Sequence, residues 1–281
     1  MSQPLTPVPL TPGHAKKSLG QHFLYDPGLL RRIALAGGPV RDRTVIEVGP
    51  GPGGLTRTLL EEGARVIAIE MDDRFAEGLR SWPDFSSRLF LHHGDARAVD
   101  FPGLIAHSGG EQPAMIIANL PYNVATPLLV DWLKAGAWRG MMVLMFQKEV
   151  GERICAGPGE NAYGRLSVLV HATMTAHMAL VLPPGAFRPP PKVDSAVVVL
   201  EPLPAAERFG QLDALEAITA AAFGQRRKML RAALKVLPGA VDALEGAGID
   251  PTRRAETLTQ TEFRALATAF ASGWEIPRPR D

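Results

Sequence analysis

Cysteine occurs once, at Cys155, in 281 residues. An internal disulfide is therefore excluded, as is a cysteine-ligated metal cluster, and the chain suits a reducing compartment, with Cys155 read as an inert core thiol. Long apolar runs are missing as well. The longest, residues 141–146, is far short of the roughly 20 residues a membrane-spanning helix needs. The first 13 residues hold four prolines and no apolar core of a secretory signal, so a cytoplasmic protein with no membrane contact is expected. Excess charge is absent: 30 basic against 29 acidic side chains leave a net charge of +1. Any polyanion must then be held by local basic clusters. His92 and His93 lack acidic or cysteine partners at a metal-binding spacing, and no metal is expected.

What is present is apolar content, 46% of the chain, enough for one large core and a smaller satellite domain. Residues 1–15 read as a disordered lead-in, 16–204 as an α/β domain and 205–281 as a helical one, because strand signals stop near residue 204. The pair Lys16 and Lys17 is either a solvated arm or a lid whose lysines touch phosphate. A helix is expected from about Pro27 to Gly37.

Thr44–Val48 reads as a first strand, followed by a glycine-rich loop and a helix from about residue 55 to 62. Gly49, Gly51 and Gly54 satisfy the spacing G-x-G-x-x-G, and Glu70 closes the next strand where an acid can hold ribose hydroxyls. A pyrophosphate cradle points backbone N–H groups at the anion, yet Pro50 and Pro52 remove two donors from this loop. A cofactor without phosphate, S-adenosylmethionine, fits better than a nicotinamide dinucleotide. Residues 88–92 form a third strand, after which Asp95 either accepts from an adenine amino group or caps a helix.

The apolar run Ala114–Ala118 reads as a buried strand, so Asn119, Leu120, Pro121 and Tyr122 should sit at the mouth of the sheet, where open α/β folds bind ligands. Pro121 biases Leu120 away from helix and turns its carbonyl outward. Two acceptors, the Asn119 side-chain oxygen and the Leu120 carbonyl, then lie beside the ring of Tyr122. That set suits a planar heterocycle with an exocyclic amino group. Ala125, Thr126 and Pro127 come next, then a helix through Trp132 and a strand over 141–146. Residues 177–182 and 193–200 read as two further strands joined by a stiff proline-rich loop, in which Phe187 either stands exposed beside the crevice or pins the loop to the core. In the tail, Arg226, Arg227, Lys228, Arg231 and Lys235 place five cations in ten residues; this is either a solvated helix face or a phosphate-binding cluster.

Taken jointly, LGQHFL (19–24), EVGPGPGGLT (47–56), AIEMD (68–72), GDA (94–96), NLPYNVATPLL (119–129), FRPPPKVDSAVV (187–198), FGQRRKMLR (223–231) and RAETLTQTEF (254–263) resemble the ribosomal RNA adenine dimethyltransferases, most closely the small-subunit branch. The likeness runs over nearly the whole chain after residue 15. It implies a Rossmann-like methyltransferase sheet with an antiparallel last strand plus a small all-α C-terminal domain. It also implies S-adenosylmethionine contacts at His22, Leu24, Glu47, Gly49, Gly51, Glu70, Asp95, Ala96 and Asn119, with His22 standing where many members carry Asn. The substrate implied is a pair of neighbouring adenosines in the hairpin loop near the 3′ end of 16S RNA, each dimethylated within an immature small subunit by a monomeric enzyme. Asn119 and the Leu120 carbonyl would draw the amino group toward tetrahedral geometry, Tyr122 and Phe187 would stack the base, and the basic cluster with Lys16 and Lys17 would bind RNA. Alternative readings are a 23S RNA methyltransferase of the macrolide-resistance type, a non-catalytic ribosome assembly factor, and a nicotinamide-dependent oxidoreductase.

Overall fold

Nine strands and eleven α-helices form among residues 21–82 and 87–273, the part of the chain that the computed structural model describes. Lys16, Lys17 and the expected lead-in lie outside the described residues. The strands are β1 Phe23–Leu24, β2 Thr44–Val48, β3 Arg65–Glu70, β4 Leu89–His93, β5 Ala114–Ala118, β6 Arg139–Gln147, β7 Met174–Leu182, β8 Phe187–Arg188 and β9 Ser195–Pro202. The helices are α1 Pro27–Ala34, α2 Gly54–Glu61, α3 Asp73–Arg80, α4 Phe101–His107, α5 Tyr122–Lys134, α6 Lys148–Cys155, α7 Arg165–His171, α8 Leu212–Gly224, α9 Leu230–Ala233, α10 Ala240–Gly246 and α11 Gln260–Ala271.

Seven strands build one sheet in the order β4-β3-β2-β5-β6-β9-β7. Neighbours from β4 to β6 pair in parallel, whereas β9 runs antiparallel to β6, with Gln147 opposite Ser195. The expected antiparallel last strand is therefore present. Every residue of β2 and β5 is buried, which explains why β5 reads as a continuous apolar run, while β2 buries the polar Thr44 and Glu47 among its apolar residues. Local signals set the helix starts. The Asp26 carboxylate accepts from the Leu29 N–H at 2.7 Å and Pro27 occupies the first turn, a combination that satisfies one orphan donor and removes another.

Helix α5 starts at Tyr122 and carries Pro127 inside it, earlier than the start after Pro127 read from the sequence. Pro127 deletes only the donor that would face the Asn123 carbonyl, a loss one turn from the helix start that leaves the rest of the helix bonded. Residues 152–176, read from the sequence as part of the sheet domain, group instead with 202–281 as a second compact unit, while the first comprises residues within 1–151 and 177–201. Specific bonds hold this grouping. Gln260 Nε2 donates to the Val168 carbonyl at 2.8 Å, Arg264 donates to the His171 carbonyl at 2.9 Å, and Tyr163 packs edge-on against Phe223, which stacks on Phe263. Helix α11 begins with a reciprocal cap between Thr259 and Glu262, and the Arg253 guanidinium beside Glu262 holds its carboxyl down at about 2.

Phe187 answers one alternative. Strand β8 pairs with β1, placing Phe187 opposite Leu24, and the ring is only 2% exposed within the cluster that contains Leu24, Leu30 and Leu182. The exposed stacking face is thereby corrected: in this structure Phe187 pins the proline-rich segment to the core. Phe187→Ala should lower the unfolding free energy by about 3–5 kcal/mol, the usual cost of emptying a buried ring site. Chemical denaturation would check this, and a loss well under 1 kcal/mol would place the ring outside the core.

Candidate active site

Parallel strands end at one edge of the sheet, and there the chain leaves a cavity of about 320 Å³, a size typical of small-molecule sites. His22, Leu24, Glu47, Gly49, Gly51, Glu70, Asp95, Ala96, Asn119, Leu120, Pro121 and Tyr122 all line it; Phe187 does not. The carboxyl ends of β2, β3, β4 and β5 thus bring the sequence motifs together.

Glu70, the last residue of β3, is 4% exposed. One carboxylate oxygen accepts from the Gly51 N–H at 3.0 Å and the other from the Asp72 N–H at 2.8 Å. Burial raises its pKa, opposed by these backbone bonds. Each oxygen retains a further lone pair for a hydroxyl donor. Glu47, one strand away, is 2% exposed, and its Oε2 has no hydrogen-bond partner among the described residues. Burial pushes this carboxyl up to about 8, opposed by Thr56 and reinforced by the Glu70 charge.

Between β2 and α2 the loop uses glycine where φ is positive, at Gly49, Gly51 and Gly53. Gly51 also lies so close to Phe23 that an added Cβ would stand 2.8 Å from the ring. The Gly49 N–H donates to the Ile69 carbonyl, the Gly51 N–H to Glu70, and the Gly53 N–H to the Pro50 carbonyl. Positions 50 and 52 are prolines. Across residues 49–53, then, every backbone donor is either spent inside the protein or missing, so this loop cannot cradle a phosphate as a dinucleotide fingerprint does. It leaves backbone close to the cavity, with carboxylates beside it. A phosphate-free cofactor with ribose hydroxyls fits these residues.

Asp95 caps the short 3-10 turn Ala96–Ala98, accepting from the Arg97 N–H at 3.0 Å, and the Arg97 guanidinium lies 2.6 Å from its Oδ2. Those bonds hold its carboxyl below the usual range. Of the two readings open for Asp95 the cap is observed, and its carboxylate still borders the cavity.

Asn119 follows β5. Its Nδ2 donates to the His22 carbonyl at 3.0 Å, which commits the amide nitrogen and leaves the oxygen as the acceptor of that side chain. The His22 ring stacks on Tyr122, centroids 5.9 Å apart and planes 27° apart, while His22 Nδ1 lies 2.8 Å from the Pro189 carbonyl. The Tyr122 hydroxyl and Ser195 Oγ lie 2.5 Å apart; burial raises the phenol pKa, opposed by that bond. Ser195, Met71 and Arg97 were not singled out in the sequence. Arg97 was findable from its place two residues after a capping Asp, whereas Ser195 sits inside a strand pattern and announces nothing by spacing.

Arg226, Arg227, Lys228, Arg231 and Lys235 are all exposed. Arg226 to Lys228 occupy the turn between α8 and α9 rather than a helix face, because α8 ends at Gly224 and Met229 is extended. Arg226 is partly committed, bonding Glu256 at 2.7 Å and the Asn161 carbonyl at 3.1 Å.

This strand order with one reversed strand, and acidic strand ends around a glycine loop that cannot bind phosphate, define a class I methyltransferase. The family described as "Ribosomal RNA adenine dimethylase" matches residues 13–272. The chain belongs to that family and is an rRNA adenine dimethyltransferase, a class that uses S-adenosylmethionine. It is 52% identical over 264 residues to the ribosomal RNA small subunit methyltransferase A of Phenylobacterium zucineum, covering 94% of this chain and 90% of that one. With the protein of the same name from Agrobacterium fabrum it shares 53% over 265 residues, covering 91% and 93%. Among solved structures, a dimethyladenosine transferase from Plasmodium falciparum superposes with a TM-score of 0.75 at 26% identity, covering 89% of this chain and 98% of that one. The 23S rRNA methyltransferase ErmE shares the fold, with a TM-score of 0.62 at 23% identity and 89% and 99% covered. No helix among the described residues is long and apolar enough to cross a membrane.

The raised carboxyls carry a pH signature. Glu47 keeps its proton in the folded state to about pH 8 but loses it near 4.5 when unfolded, so the folded state binds more protons across that window and stability falls as pH rises through it. Glu70 shifts in the same direction. Glu47→Gln should flatten the decline in stability between about pH 5 and 8, by an amount on the order of a few kcal/mol at its upper end. Unfolding free energies at a series of pH values would show it, and an unaltered slope would mean Glu47 ionises normally.

Proposed function

We propose that this protein dimethylates N6 of two adjacent adenosines in the hairpin loop near the 3′ end of 16S rRNA, acting as a monomer on an immature small subunit in the cytoplasm. The observation that carries the reading is the Asn119 amide. With its nitrogen bonded to the His22 carbonyl, its oxygen is the acceptor offered to a base lying on Tyr122. Relatives at about half identity that are ribosomal RNA small subunit methyltransferases support the choice of subunit.

S-adenosylmethionine, when bound, supplies a methyl group on a positively charged sulfur. Glu70 would accept from its ribose hydroxyls and Asp95 from its adenine amino group, with Gly49, Gly51, Leu24 and Ala96 allowing close approach, and Glu47, His22 and Asn119 completing the wall. The chain's own work is on the acceptor base. An adenine N6 lone pair is delocalised into the ring and is a weak nucleophile. Acceptors at Asn119 Oδ1 and the Leu120 carbonyl, taking both N–H groups, favour the tetrahedral nitrogen that forms as the methyl arrives. The Pro121 ring fixes that carbonyl, and Tyr122 holds the plane of the base. The nitrogen, once methylated, is acidic enough to release its proton to water or a carbonyl. A base paired in a duplex cannot reach such a cavity, so the target must come from a loop or be flipped out.

With small subunits lacking the modification, the wild type should yield N6,N6-dimethyladenosine in the 3′ hairpin, identified by mass spectrometry of digested RNA. Asn119→Ala should lower turnover about a hundredfold or more, in line with loss of a transition-state acceptor, and should affect cofactor affinity less. Unchanged turnover in that variant would remove Asn119 from the chemistry, and dimethyladenosine formed only in 23S RNA would reassign the substrate.

Arg227, Lys228, Arg231 and Lys235 bind RNA phosphates, Arg226 contributes what its ion pair leaves free, and Lys16 and Lys17 add a second basic point. Neutralising a phosphate releases counterions, so affinity falls with salt. Reversing Arg227, Lys228 and Arg231 to Glu should weaken RNA binding and reduce the slope of log affinity against log salt by about one per lost contact. A slope equal to wild type would exclude the cluster.

A further inference from the structure

Tyr122 is held at both ends. Its ring stacks on His22, and its hydroxyl meets Ser195 Oγ at 2.5 Å across 73 residues of chain. Ser195 is 0% exposed and opens β9, directly opposite Gln147 at the end of β6. Because β9 runs antiparallel to β6, its first residue arrives at the same sheet edge as the last residue of β6. A side chain from the far end of the proline-rich segment thereby reaches the base platform. A hydroxyl buried this deeply in a strand is costly unless bonded, and the partner it has is the phenol.

We propose that Ser195 is a positioning residue for methyl transfer, fixing the tilt of the Tyr122 ring on which the acceptor adenine lies. It touches neither base nor cofactor; it acts through Tyr122. The inference rests on the reading of Tyr122 as the platform for the base. A ring stacked on one face by His22 and free at its hydroxyl could swing about its χ1 axis, carrying the hydroxyl end sideways. Fastening the hydroxyl removes that freedom and keeps N6 of a stacked adenine at one height over the acceptors at Asn119 and Leu120. Small errors in such alignment cost far more in turnover than in binding.

The test is a double-mutant cycle of Ser195→Ala and Tyr122→Phe, which removes the bond from either side, with S-adenosylmethionine affinity by calorimetry, thermal unfolding, and kcat and KM on unmodified small subunits. Ser195→Ala is expected to bind cofactor within about twofold of wild type and to lose about ten- to hundredfold in kcat with little change in KM for RNA. The double variant is expected to be no slower than Tyr122→Phe alone, since a residue acting only through the hydroxyl has nothing further to lose. Tyr122→Phe leaves the buried strand intact, so it reads the bond even if Ser195→Ala folds poorly. Wild-type kcat in Ser195→Ala, or losses that multiply in the double variant, would overturn the inference alone. A wild type that binds cofactor and transfers no methyl to small-subunit RNA would overturn the functional reading and the inference with it.

Discussion

One carboxylate joins the parts of the cofactor edge. Glu70 leaves β3 with both oxygens engaged by backbone, Gly51 on one side and Asp72 on the other, so a single side chain ties the glycine loop to the start of α3. The loop needs this because its own donors cannot organise around an anion. Its shape is set from inside the protein, by bonds from Gly49 to β3 and from Gly53 back to Pro50. A loop fixed in this way presents its glycine edge before any ligand arrives, and binding need not spend free energy ordering it. Burial of Glu70 and Glu47 side by side is the cost, visible in the raised pKa of each.

The acceptor side follows a different rule. Asn119, Leu120 and Tyr122 come from one short segment, whose backbone Pro121 steadies as it opens α5. The restraints on its side chains come from elsewhere in the chain: the His22 backbone on the amide, the His22 ring on the phenol face and Ser195 on the hydroxyl. His22 is itself tied to Pro189. Two stretches far apart in sequence, one at His22 and one from Pro189 to Ser195, thus converge on residues 119–122, which is what long-range strand pairing accomplishes that a local turn cannot.

Legibility in the sequence divides along the same line. Ala114–Ala118 could be bounded to the residue because both-face burial writes itself as an unbroken apolar run, and Thr44–Val48, despite its Thr44 and Glu47, because the glycine loop follows it directly. Part of the cavity wall was also legible, Gly49, Gly51, Glu70 and Asp95 from their places at strand ends, whereas His22, Leu24, Glu47 and Ala96, which line the same cavity, came only through the family resemblance. What escaped notice depends on contacts across the sheet. Phe187 could be an exposed ring or a core ring until its pairing opposite Leu24 was known. Ser195 carries no periodic mark, and the boundary near residue 204 hid the segment 152–176, whose partners lie about a hundred residues downstream. Pro127 misled the start of α5, since a proline one turn into a helix costs a single bond and not the helix.

The composition of the helical unit from two separate stretches, 152–176 and 202–281, bears on how this chain could have been assembled. A C-terminal appendage gained by end-to-end fusion would be self-contained and removable at one cut. Here a cut before residue 202 would orphan α7 and Tyr163, leaving Val168, Leu169 and Val170, all buried in the intact protein, without the helices that cover them. Exchange of this unit between relatives would therefore require two coordinated crossovers instead of one.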